Sequence, residues 1–174
     1  MKRAFIICGP QSSGNRLLGA ILVRAGCWGE GSTNQPKHIS EIPSDTEKIV
    51  WIHPPCLDTA LTDLKAVEFN ITIIIIIREP EATCRSMVKA GFYPDLATAF
   101  NERIVKIQDS INTASKHNCK IEILTYEGLT MPMLKLWLTR LGLLTNNLEN
   151  PLNLVGQFAP DFISNQNSKH YVAF

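Results

Sequence analysis

Gly9-Pro10-Gln11-Ser12-Ser13-Gly14 follows directly on the mostly apolar run Ala4–Cys8, and Asn15-Arg16-Leu17-Leu18 then opens an apolar helical pattern. A strand, a glycine-bounded turn and a helix N-terminus in that order make an anion cradle. The turn's N–H groups and the first free N–H groups of the helix converge on one point, where a phosphate or sulfate can sit. The spacing from Gly9 to Gly14 is that of a phosphate loop, G-x-x-x-x-G-K-[ST], but Asn15 replaces the lysine and Arg16 replaces the hydroxyl that would hold Mg²⁺. An arginine has donors only and cannot ligate a metal. The loop keeps the phosphate geometry and loses the metal chemistry.

Two further side chains stand at strand ends. Arg78 closes the entirely apolar run Ile73–Ile77, where a nucleotide-hydrolysing or kinase fold usually carries an acidic residue for Mg²⁺. A guanidinium there suits a second anionic group; the plainer alternative is a loop salt bridge to Glu79 or Glu81. Ser86 lies about two helical turns further on, beside Arg85. His53 ends the short run Lys48–His53 and is the candidate general base, since a neutral imidazole near pH 7 can take a hydroxyl proton. The plainer alternative is a histidine bonding loop carbonyls. His38, Glu41 and Asp45 are further candidates for that role. Cys8 and Cys84 fall close to the loop and to Arg78 in sequence pattern, but read as small core residues, and the three tryptophans read as packing.

The elements that must position these groups alternate. Ala4–Cys8 is a strand, Asn15–Ala25 a helix stopped by Gly26, and the polar stretch Gly29–Asp45 a long, mobile surface loop spanning about residues 29–46. Lys48–His53 is the second strand, Asp58–Ala66 a modest helix, and Phe69–Ile77 a strand buried on both faces. Pro80 opens a helix to about Ala90. Phe100, Ile104, Ile107, Ile111 and Ala114 recur at helical spacing and define a long amphipathic helix. Cys119–Tyr126 is another strand, and Met131–Leu141 a helix with Leu134, Leu138 and Leu141 on one face. Residues 146–174 form an irregular tail. Strand–helix alternation implies an α/β fold, a three-layer sandwich with a mostly parallel central sheet, in one domain over residues 1–174. Ligands in such folds gather at the carboxyl ends of the strands, which here carry the Gly9–Gly14 loop, His53, Arg78 and Tyr126-Glu127.

Composition excludes more than it selects. A formal charge of +1 over 174 residues, with no basic block, argues against a nucleic-acid binder, so any anion site is local. The five cysteines have neither CxxC nor CxH spacing, which points to reduced thiols in a cytoplasmic setting. The longest apolar run, Ile71–Ile77, is far short of a membrane span.

Three segments, in order, resemble PAPS-dependent sulfotransferases. GPQSSGNRLL is similar to the family's phosphosulfate loop, G-x-x-R-S-G-T-[ST]-L-L. IIIIIREPEATCRSMV resembles its 3′-phosphate segment, a strand followed by Arg, an acidic residue and Pro, with Ser eight residues after the Arg. ILTYEGL is similar to its late-strand Tyr-Glu-x-Leu, and WIHPP resembles the strand-end His that serves as base in the cytosolic branch. The resemblance implies a P-loop-like fold and metal-independent transfer of a sulfuryl group from 3′-phosphoadenosine 5′-phosphosulfate (PAPS) to a hydroxyl or amine of a small-molecule or glycan acceptor. Pro10, Gln11, Ser12, Ser13, Gly14, Asn15, Arg16 and Leu17 would form the phosphosulfate loop, Arg78 and Ser86 would hold the 3′-phosphate, and His53 would be the base. Departures are specific. Ser12 stands where the family carries a basic residue, leaving Arg16 as its substitute. The Arg-Lys-Gly segment that completes the 3′-phosphate site is missing, with Lys169 the only stand-in. The alternatives are a P-loop kinase of a nucleotide or small metabolite, or a non-catalytic nucleotide-binding module.

Overall fold

Every residue from Ile71 to Ile77 is β-branched, which restricts χ1 and favours the pleated conformation. In the structure, a computed structural model that describes residues 1–29, 36 and 38–145, Asn70–Ile77 is accordingly a strand. Five strands are present among the described residues: β1 (Arg3–Ile7), β2 (Trp28–Gly29), β3 (Lys48–Ile52), β4 (Asn70–Ile77) and β5 (Lys120–Thr125). They form one all-parallel sheet in the order β2-β3-β1-β4-β5. The two-residue strand β2 was not expected; it ends at the first residue of the stretch read as loop, of which residues 30–35 and 37 lie outside the described residues, as does the tail 146–174.

Among the described residues five α-helices cover the sheet: α1 (Asn15–Arg24), α2 (Leu57–Ala66), α3 (Pro80–Lys89), α4 (Leu96–Lys116) and α5 (Met131–Arg140). Alternation along the strands separates two cores. Phe5, Ile7, Ile74 and Ile76 face α1 and α5, meeting Leu18, Ile21, Leu134 and Leu138. Ala4, Ile6, Ile71, Ile73 and Ile75 face α2 and α4, meeting Leu61, Leu64 and Ala114. Strands buried on both faces are what a parallel sheet between helical layers requires, and the architecture is a three-layer α/β sandwich. No helix of the described residues is long and apolar enough to cross a membrane.

The inward face of α4 is shifted from the expected one. Ile107, Ile111 and Ala114 pack into the core as expected, but Phe100 and Ile104 remain 45% and 37% exposed. Ala99, one position before Phe100, is buried instead, against Cys84 and Met87 of α3. A helix advances 3.6 residues per turn, so two neighbouring positions compete for the inward place; packing of α3 selects the smaller one.

Topology fixes where a ligand fits. The helix leaving β1 leads toward β2, whereas the chain leaving β4 leads toward β5. The two connections diverge between β1 and β4, which is the position at which open parallel sheets hold ligands at the carboxyl ends of their strands. β4 also outruns β1. Ile7 pairs in register with Ile74, so Ile77 projects three residues, roughly 10 Å, past the end of β1. The glycine-bounded loop is laid against that projecting end.

Candidate functional site

The loop is bent by two left-handed residues. Ser12 has φ +61° and Gly14, which directly precedes α1, has φ +96°. Close approach requires glycine at both ends. A Cβ on Gly9 would collide with the Ile76 carbonyl, and one on Gly14 would lie 2.5 Å from Cδ2 of Tyr126. Inside the loop the Ser13 N–H donates to the Pro10 carbonyl at 3.3 Å. Asn15 is 6% exposed, and its Nδ2 donates to the Gly9 and Pro10 carbonyls at 3.1 and 2.7 Å. Those two acceptors fix the orientation of the amide. The Asn15 side chain thus clamps the loop, and what it offers an anion is its main-chain N–H. Together with those of Arg16 and Leu17, that group lies in the first turn of α1, where no preceding carbonyl reaches. Leu17 itself packs its side chain into the core, and Arg16 is exposed.

Arg78, one residue past β4, turns toward this loop. Its Nη1 donates to the Ser12 carbonyl at 3.4 Å, the long end of hydrogen-bonding range. Its guanidinium also lies 5.1 Å from the centre of the Tyr126 ring, within cation–π distance. Register explains this: Ile77 pairs with Thr125, so Arg78 and Tyr126 leave their strands side by side. The neighbouring acids have their own tasks. Glu79 caps α3, accepting from the N–H groups of Glu81 and Ala82 at 3.0 and 2.5 Å, and Glu81 pairs with Arg85 at 2.6 Å. Glu127 ties the two strand ends together by accepting from the Glu79 N–H at 2.9 Å.

No protein-family model matches the chain, and no curated protein matches it. The site is therefore defined by its own geometry.

His53 sits on the other side of β1 from Arg78, at the end of β3, with φ +48° and its N–H on the Ile7 carbonyl at 3.0 Å. The residue is open to solvent on one side, while protein crowds the ring on the other. Burial, and then the positive charge of Lys106, lower its pKa from 6.5 to about 4. The imidazole is therefore neutral at pH 7. Ser86 is half-buried within α3 and, among the described residues, has no hydrogen bond to Arg78 or to the loop. Asp45 is placed away from His53: it lies three residues before β3 begins, with Glu47 and Lys48, on a groove of about 520 Å³ at the amino end of that strand.

Burial disfavours the thiolate form of the cysteines near the site. Burial pushes Cys8 up to about 12 and raises Cys84 as well. Three residues of the site escaped the sequence reading as individual groups. Tyr126 was noted only as part of a strand-end motif, yet its ring supports both Gly14 and Arg78. Arg103 and Lys106 on α4 carried no motif at all. Arg103 donates from Nη2 to the Arg78 carbonyl at 3.3 Å, and Lys106 is close enough to His53 for its charge to be felt there. The available signal was Arg103 and Ser110 interrupting an inward-facing helical stripe.

Proposed function

We propose that this protein binds PAPS at the carboxyl ends of β1 and β4 and transfers its sulfuryl group, without a metal, to a hydroxyl or amine of a small acceptor. The observation that carries the reading is the Arg78 guanidinium reaching the Ser12 carbonyl. That contact sets a guanidinium directly beside the amide-lined turn, so cationic and amide donors gather at one place, an arrangement suited to a ligand with two anionic groups. A nucleoside bisphosphate is such a ligand. The amide groups of Gly14–Leu17 and the Arg16 guanidinium would hold the 5′-phosphosulfate, and Arg78 the 3′-phosphate by its donor fork. Ser13 supports the fit: it is fully buried, and its Oγ has no partner among the described residues, so a donor is left over at the turn. The buried Gln11 Oε1 also lacks a partner, and turning that amide over would present Nε2 in its place.

PAPS supplies an activated sulfur: the acceptor oxygen bonds to it as the S–O bond to the 5′-phosphate breaks and 3′-phosphoadenosine 5′-phosphate (PAP) departs. The protein's own part is to orient and to manage charge. The loop amides and Arg16 face the oxygens where negative charge grows, and neutral His53 accepts the acceptor's proton. A kinase reading lacks both the loop lysine and the hydroxyl for Mg²⁺. A non-catalytic module has one observation in its favour, since Ser12 carries no charge and Asn15 is engaged within the loop, leaving Arg16 as the loop's cation. The experiment is transfer from labelled PAPS to a pool of hydroxyl and amine acceptors in the presence of EDTA. Labelled product, lost in Arg16→Ala, is the expected result. PAP binding without any product would establish the module, and transfer from Mg·ATP alone would establish the kinase.

A further inference from the structure

Several cations elsewhere on the described surface are neutralised at close range. Arg85 pairs with Glu81, Lys116 with Asp58, and both Lys120 and Arg140 with Glu122. Arg103 and Lys106 differ, because among the described residues neither forms an ion pair. Helix geometry places them on one ledge. Positions 103, 106 and 110 follow at three- and four-residue steps and share a face of α4. The two ends of that face are anchored over the site, Arg103 by its hydrogen bond to the Arg78 carbonyl and Ser110 by donating to the Cys8 carbonyl at 3.3 Å. Cys8 is the residue between β1 and the phosphate loop, so Lys106 stands between the end of β4 and the end of β1, beside His53. The Nε of Arg103 is buried without a partner. Lys106 is exposed, its ammonium open to a ligand, while the buried Nε of Arg103 one turn away is costly to leave unpaired unless a ligand group completes it.

We infer that this α4 ledge is the acceptor subsite, and that it selects acceptors carrying a negative group beside the hydroxyl that is to be modified. Lys106, with Arg103 behind it, engages the negative group and thereby presents the neighbouring hydroxyl to His53. The acceptor class is a hydroxy acid or a phosphorylated or sulfated alcohol; the shared chemistry is an anion close to a hydroxyl. The inference rests on the sulfuryl-transfer reading for what the site beside the ledge holds, while the charge preference itself stands on α4 alone.

The test uses three probes of similar shape: mandelate, its neutral amide mandelamide, and the cationic phenylethanolamine. Their dissociation constants are measured by NMR shift perturbation on the full chain, with and without saturating PAP. Mandelate is expected to bind roughly tenfold more tightly than mandelamide, the ratio that one charge-assisted contact supplies. Lys106 is exposed, so its replacement leaves the core intact. Lys106→Gln is expected to bring the ratio close to one, and Lys106→Glu to shift preference to phenylethanolamine. Equal binding of mandelate and mandelamide to the wild type would overturn the inference. So would a preference that survives both Lys106 substitutions. Failure of PAP to bind, with the mandelate preference intact, would instead overturn the PAPS reading and leave the ledge standing.

Discussion

Gly14 is the residue at which loop, strand end and aromatic support meet. Its backbone is left-handed, and its missing Cβ leaves the space filled by Tyr126. Gly14→Ala adds a methyl group against that ring on a backbone that L residues rarely adopt, so a loss of about 1–3 kcal/mol in stability is expected from denaturant unfolding. His53 gives a pH signature. Its pKa is lowered in the folded chain, so the fold favours the neutral ring; both states are neutral above about 6.5, and below that the unfolded chain takes the proton first. Stability contributed by this group is therefore present above 6.5 and lost as pH falls toward about 4. His53→Gln should flatten that part of the melting-temperature profile, and an NMR titration of the His53 ring should give a midpoint below 6.5. A midpoint at or above 6.5 would contradict the crowded, Lys106-facing environment.

At the scale of elements, the site is built where chain segments begin and end. α3 starts immediately after Arg78, with Pro80 at its first position and Glu79 accepting from two of its unsatisfied N–H groups. Such a cap anchors the segment that aims Arg78. Glu79→Ala is expected to cost about 1 kcal/mol in chemical denaturation. Because the Glu79 main chain also bonds Glu127, the same change should loosen hydrogen-exchange protection at the end of β5. If protection there is unchanged, the two strand ends are not coupled through this cap. α4 serves the site differently: its lower half is core, while Arg103, Lys106 and Ser110 bring polar groups up to the strand ends.

Across the whole molecule, the place of the site follows from connectivity, since the exits of β1 and β4 diverge at the carboxyl ends of the sheet. Much of this was legible in the sequence because local signals agreed: the β-branched run of β4, the glycine-bounded turn before an apolar helix, and proline opening α3. β2 was not legible, because two residues carry no periodicity and Trp28–Gly29 is a strand only by pairing with Ile49 and Val50. The α4 stripe was misplaced by one residue in its first half because tertiary packing against α3 decides between neighbouring positions. The geometry linking Arg78 to the loop was not legible either; it depends on β4 outrunning β1, which is a property of register.

The account's central claim is that loop and Arg78 form one site for a ligand with two anionic ends, and calorimetric titration in EDTA tests it most directly. PAP and ADP each carry two phosphorus groups on adenosine, PAP one at each of the 3′ and 5′ positions and ADP both in a 5′-diphosphate. PAP is expected to bind roughly tenfold or more tightly than ADP, and Arg78→Ala is expected to remove that preference while leaving ADP affinity little changed. Equal affinities in the wild-type protein, or a PAP preference untouched by Arg78→Ala, would contradict it.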